Sequence, residues 1–231
     1  MPAFGEPSSQ YGATVNAILP AARHITNMVA AVNFDVRGID TLGEECILVC
    51  AVTGTVALLR GTRADETTAR AGRVPGRAIT ERTDATTLLC RATATVLLLF
   101  GIYMVLHGTV TPGGGFQGGA IAASSFILLY LGEGYRTWQR LLRIPVMDIL
   151  EGGGTFVFVA AAALPLLFGH AALQNTLPYV QPKDLFSGGL MVIVNFAVGL
   201  AVIGSFGALL IDFLEETREP EDEPDAQGEN S

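Results

Sequence analysis

Five times between Leu42 and Phe213 the sequence enters a long apolar run, over 42–59, 88–106, 116–131, 149–168 and 188–213. A helix rises about 1.5 Å per residue, so runs approaching 20 residues match the roughly 30 Å of hydrocarbon in a bilayer. Backbone amides cannot stay unpaired there, which favours helices that satisfy their own hydrogen bonds. The expectation is an all-α integral membrane protein with about five transmembrane helices. Only 16% of the residues are charged, against about 25% in soluble domains, and the mean hydropathy is +0.44. Residues 15–32 carry apolar groups at helical spacing, but Pro20 interrupts them and Arg23 and His24 sit in mid-segment. That pattern predicts an amphipathic segment lying in the interface or against a partner rather than a sixth span. Met1 to Tyr11 has neither a basic start nor an apolar stretch, so no cleaved signal peptide is expected.

The second and third runs are separated by His107-Gly-Thr-Val-Thr-Pro-Gly-Gly-Gly-Phe-Gln-Gly-Gly119. Pro112 cannot continue a helix, so the chain must turn back here. Thr111 is placed to cap the next helix, with Pro112 at its first position. Among Gly113, Gly114 and Gly115, alanine at Gly114 is expected to be costly if that residue takes a positive φ. Beyond Phe116, Gly118 and Gly119 leave the opening turn bare, which predicts close approach of another backbone, expected to come from a neighbouring protein of an assembly. Glycines recur at the expected starts of the fourth run (Gly152 to Gly154) and the fifth (Gly188, Gly189), and Asn195 lies among apolar neighbours.

Seven arginines fall in 60–91 and three in 136–143, while 107–115 and 169–187 hold Lys183 alone. The positive-inside rule therefore puts both arginine-rich connectors in the cytoplasm. Four regions follow: 1–62 with one span, a hydrophilic connector over 63–83, a four-span domain over 84–214, and a tail over 215–231. The tail is acidic, broken by Pro220 and Pro224, and expected to be disordered. It supplies most of the net charge of −8. A multi-pass protein of the inner (plasma) membrane is expected.

Phosphate loops, nucleophile elbows and HExxH helices are missing from the sequence. No enzyme, cofactor or metal site is expected, and the dispersed arginines predict no nucleic-acid binding. Cys46, Cys50 and Cys90 read as small buried hydrophobes. Candidate ion-path groups stand at helix ends: Asp35, Asp40, Glu44, His107, Asp148 and Glu151. Thr41 and Glu44 have the spacing of a capping box, yet a capping carboxylate can still take up a proton. With no acid or lysine expected at mid-depth, the chain reads as one subunit of a larger assembly rather than a self-sufficient transporter.

The Pro112-Gly-Gly-Gly-Phe-Gln-Gly-Gly119 core and Ser187-Gly-Gly-Leu-Met-Val-Ile-Val-Asn-Phe-Ala-Val-Gly199 resemble the MnhB-type subunit of Mrp-type (multisubunit) sodium/proton antiporters, over roughly residues 84–213. Asn33 to Glu44 resembles the carboxyl-terminal part of the large, A-type subunit of those complexes, an element also found in a small subunit of membrane-bound hydrogenases. The chain thus resembles a fusion of the two. It departs from the family where Gly108-Thr-Val-Thr111 precedes the proline in place of a His-Asn-type pair. The resemblance implies a lipid-embedded hetero-oligomer with the other antiporter subunits, exchanging internal Na+ for external H+. The alternative it leaves open is a membrane-arm subunit of a complex-I-like or hydrogenase-type redox pump.

Overall fold

A computed structural model describes residues 10–65, 73–75, 83–216 and 218–220. Helices α1 (Gln10–Arg23) and α2 (Met28–Ala31) lead through a π-helical turn, Val32–Val36, into α3 (Gly38–Asp65). After a connector come α4 (Asp84–Leu106), α5 (Gly115–Glu133), the short α6 (Tyr135–Leu141), α7 (Ile144–Ala163, continued by a 3-10 turn to Phe168) and α8 (Leu190–Glu216). Among the described residues five helices, α3, α4, α5, α7 and α8, are long and apolar enough to cross a membrane. One three-residue ladder pairs Arg73–Pro75 with Arg218–Pro220. The remainder of the connector (66–72 and 76–82) and of the acidic tail (217 and 221–231) lies outside the described residues.

Helix α8 is the centre of the bundle. Its buried set runs from Leu190 to Glu215, and α3, α5 and α7 all pack on it. Small residues make these contacts close. A β-carbon on Gly118 would stand 2.6 Å from the Gly101 carbonyl of α4, and one on Gly119 would stand 2.9 Å from the Gly199 carbonyl of α8. At the other side of α8, a β-carbon on Gly154 would stand 2.5 Å from the Ala201 amide, and one on Gly204 2.3 Å from the Glu151 amide. Lipid tails offer no hydrophobic drive between helices, so such backbone-close contacts supply the dispersion energy that holds them. At the arginine-rich end, Trp138 of α6 is fully buried and donates its indole N–H to the Phe126 carbonyl at 2.9 Å.

The structure corrects several expectations. The bare start of α5 does admit neighbouring backbones, but they belong to α4 and α8 of this chain and not to a partner. Gly114 is extended (φ 162°, ψ −176°); the left-handed residue is Gly113, at φ 134°. Thr111 does not cap α5. Its hydroxyl donates back to the His107 carbonyl at 3.3 Å, finishing α4, and α5 starts only at Gly115. The glycines of the fourth span lie two turns inside α7, because Pro145 fits the first turn of a helix that begins at Ile144. Gly188 and Gly189 precede α8, with φ of 101° and 59°.

The N-terminal region differs as well. Instead of one amphipathic segment over 15–32 it forms α1 and α2, with Pro20 accommodated inside α1. The capping box is absent, since α3 begins at Gly38 and both Thr41 and Glu44 lie within it. The Thr41 hydroxyl donates instead to the Asn33 carbonyl of the π turn, at 2.6 Å. Cys46 and Cys50 do share a face, but it points outward, and Cys90 is half-buried. Helix α3 buries one stripe, marked by Glu45 and Val52, and its cysteines fall off that stripe. Glu215, assigned to the tail from the sequence, is a buried residue of α8 that accepts a hydrogen bond from the Tyr135 hydroxyl.

Alanine at Gly118 or Gly119 is predicted to destabilise this chain itself, by about 1–3 kcal/mol as for other overpacked interiors. Thermal unfolding of the purified protein in detergent measures it. Unchanged unfolding together with lost partner proteins would instead place those glycines at an intersubunit contact.

Candidate functional site

The turn between α4 and α5 is held open and rigid by two asparagines from distant parts of the chain. Asn195 of α8 is 2% exposed. Its Oδ1 accepts from the Gly115 amide at 2.7 Å, while its Nδ2 donates to the Val105 carbonyl at 2.7 Å. One side chain thus caps the start of α5 and the end of α4, two sets of orphan groups that hydrocarbon cannot satisfy. From the other side, the Asn27 Nδ2 donates to the carbonyls of Gly108 (2.7 Å), Thr111 (2.9 Å) and Gly113 (3.0 Å). Its Oδ1 accepts from the Val29 and Ala30 amides and caps α2. The Thr26 hydroxyl donates to Val110 at 2.5 Å.

Against this turn lies a cavity of about 610 Å³. Its walls come from the π turn (Asn33, Phe34), from α3 (Thr41, Glu44, Glu45) and from the turn and first residues of α5 (Gly113, Gly114, Gln117), with Val198 of α8 behind. Glu44 is exposed on the rim. Glu45 is 2% exposed, and its Oε2 has no hydrogen-bond partner. A buried, unpaired carboxyl oxygen is costly, and ionisable groups within a membrane span are rare.

The six sequence candidates separate into different surroundings. Asp35 accepts from the Arg23 guanidinium at 2.6 Å, and Asp40 pairs with Arg37, so both are committed to ion pairs. Around Arg23 the Tyr179 hydroxyl is pushed up in pKa, by burial first, with the guanidinium opposing it. The His107 ring stacks on Tyr103 with centroids 4.1 Å apart and does not line the cavity. Asp148 and Glu151 belong to a second cluster, where α3, α7 and α8 converge near their arginine-rich ends. There Arg60 pairs with the fully buried Asp212 at 3.1 Å and with the half-exposed Asp148 at 3.6 Å. Of the six, Glu44 alone lines the cavity at the glycine turn.

Sequence reasoning missed Glu45, Arg60, Asp212 and Asn27. The buried or half-buried positions Thr41, Glu45, Leu48, Val52 and Val56 recur every three or four residues, a phase that puts Glu45 inward and Glu44 outward.

Residues 85–208 match the family described as "Domain related to MnhB subunit of Na+/H+ antiporter". The chain is 29% identical over 205 residues to the uncharacterized protein MJ1307 of Methanocaldococcus jannaschii, covering 82% of this chain and 77% of that one. It is 37% identical over 112 residues to the putative antiporter subunit mnhB2 of Staphylococcus saprophyticus, covering 47% of this chain and 78% of that protein. Among solved structures it resembles a chain of the archaeal membrane-bound sulfane sulfur reductase, with TM-score 0.74 and 28% identity, covering 94% of this chain and 89% of that one. It also shares the fold of part of a chain in the Mrp complex of Dietzia, with TM-score 0.67 and 21% identity, over 95% of this chain and 24% of that one.

Asn195→Leu removes both hydrogen bonds at nearly constant volume. Each buried group left unpaired costs about 1–3 kcal/mol, so a loss of roughly 2–6 kcal/mol is predicted in thermal unfolding. Equal stability of the leucine variant and the wild type would show that the cap is dispensable.

Proposed function

The chain belongs to the family of domains related to the MnhB subunit of Na+/H+ antiporters, and from that premise we propose that it is a membrane subunit of a multisubunit antiporter complex. It sits in the plasma membrane, and the complex exchanges internal Na+ for external H+. The observation that carries the reading beyond family membership is the cavity at the glycine turn, where Glu44 and Glu45 face Gln117 and the start of α5. Glu45 is the carboxylate we assign to proton uptake, in place of Glu44. It is buried and has an unpaired oxygen, whereas Glu44 is exposed at the rim. We read Asp35 and Asp40 as structural and the chain as a transporter component rather than an enzyme.

The region 1–62 is, on this reading, the element resembling the end of the large antiporter protein, fused to the MnhB-type domain of 84–214. Its support is that the fold match within the Dietzia complex takes in 95% of this chain inside one larger chain. A second reading has a specific observation behind it. The likeness to the sulfane sulfur reductase chain runs nearly end to end on both sides, which suits a membrane-arm subunit of a redox pump. Mass spectrometry of what copurifies with the tagged chain separates the two. Antiporter proteins without iron–sulfur or nickel partners support the first reading, and a redox module supports the second.

In everted vesicles holding the assembled complex, Glu45→Gln is predicted to lower Na+-dependent proton exchange at least about tenfold, some 1.4 kcal/mol on the barrier. Glu44→Gln is predicted to stay within about twofold of wild type, less than 0.5 kcal/mol. Full exchange in an assembled Glu45→Gln complex would remove Glu45 from the ion path.

A further inference from the structure

We infer that this chain itself conducts the proton inward, along the seam between α3, α7 and α8, from the cavity at Glu45 through Glu151 to the Asp212–Arg60–Asp148 cluster. The inference rests on the antiporter reading and deepens it. The three carboxylates sit at three levels of one face of α8. Glu45 lines the cavity with Val198. Glu151 lies against Gly204, where a β-carbon would meet the Glu151 amide at 2.3 Å, next to Ser205. Asp212 is held by Arg60. Val198, Ser205 and Asp212 are seven residues apart, nearly two full turns, so they share a face and stand roughly 10 Å apart along the axis. Together they span roughly 20 Å of the ~30 Å hydrocarbon core.

Burial and unpaired polar atoms make this a path rather than a row of acids. Glu45, Glu151 and Asp212 are 2%, 9% and 0% exposed. Glu45 Oε2 is buried without a hydrogen-bond partner, and Glu151 stands beside the buried Ser205 hydroxyl on the same seam. On the inferred path, water bonded to these polar groups would carry the proton between carboxyl groups that face successive levels of α8. At each hop one O–H bond breaks on the donor carboxyl or water and one forms on the next oxygen. The donor returns to carboxylate, and no electrons change hands. Arg60 supplies the positive charge that a fully buried Asp212 carboxylate needs. Asp148, 47% exposed and 3.6 Å from the same guanidinium, gives the exit to solvent.

The deciding variant is Glu151→Gln, uncharged and nearly isosteric, with Glu151→Asp as its rescue. Each is expressed in the whole complex and assayed for Na+-dependent proton exchange in everted vesicles, with partner recovery on a tagged pull-down as the assembly control. The expected result is a loss of at least about tenfold for Glu151→Gln, partial recovery for Glu151→Asp, and full assembly of both. Because Asp212→Asn frees Arg60 and can fail to fold, the exit is tested with Asp148→Asn, expected to slow exchange without lowering assembly. Normal exchange in an assembled Glu151→Gln complex overturns the relay. Loss in Glu45→Gln with normal exchange in both Glu151→Gln and Asp148→Asn also overturns it, since the proton would then leave through a partner. Absence of Na+-dependent exchange in the wild-type complex is a different failure, that of the antiporter reading itself.

Discussion

Each break in a membrane helix leaves amides and carbonyls without intrahelical partners, and hydrocarbon offers none. In this chain asparagine side chains meet that demand. Asn195 joins the end of α4 to the start of α5. Asn27 takes up three carbonyls of the same turn while capping α2. Asn175 repeats the device before α8, accepting from the Leu190 amide at 3.1 Å and donating to Gly188 at 2.7 Å. A primary amide suits the task because it presents an acceptor and two donors without charge. The glycines give room for this. A β-carbon on Gly108 would stand 2.7 Å from Asn195 Oδ1, and one on Gly115 2.1 Å from the Asn195 carbonyl.

The functional consequence follows from where these knots lie. The turn they hold forms one wall of the cavity that receives Glu45. Asn27 also ties the N-terminal region to the four-span domain, so the cavity between them has fixed walls although it is assembled from segments far apart in sequence. At the opposite end of α3, Arg60 makes the matching link to α7 and α8. A helix whose outward face is mostly uncovered is thereby fastened at both ends by polar contacts, with Val52 packed between them.

The membrane class, the five spans and the turn at 107–119 were legible in the sequence because apolar run length and Pro-Gly punctuation act locally. The same holds for the burial of Asn195, a polar residue that an apolar run can shelter only against a partner. What stayed hidden depended on contacts across the fold. Gly118 and Gly119 announced a close approach, but no local rule says whether the approaching backbone is the chain's own. Thr41 and Glu44 matched a capping box, yet a π turn carried the chain into α3 three residues earlier and left that cap without a role. Glu44 and Glu45 are adjacent, and only the phase of α3 against α8 decides which one is buried. Asp212 fell inside the fifth apolar run with no role assigned to it, and its partner Arg60 lies 152 residues away in sequence.

Asn27 and Asn195 hold the 107–114 turn as one network rather than as two independent caps. A double-mutant cycle on thermal unfolding tests it, with Asn27→Ala, Asn195→Ala and the pair measured on the purified chain in detergent. Groups that share a network show coupling of about 0.5–3 kcal/mol, and a value in that range is predicted, the second substitution costing less once the first has loosened the turn. Strictly additive losses, within about 0.3 kcal/mol, would contradict the account and leave the turn held by its glycine backbone alone.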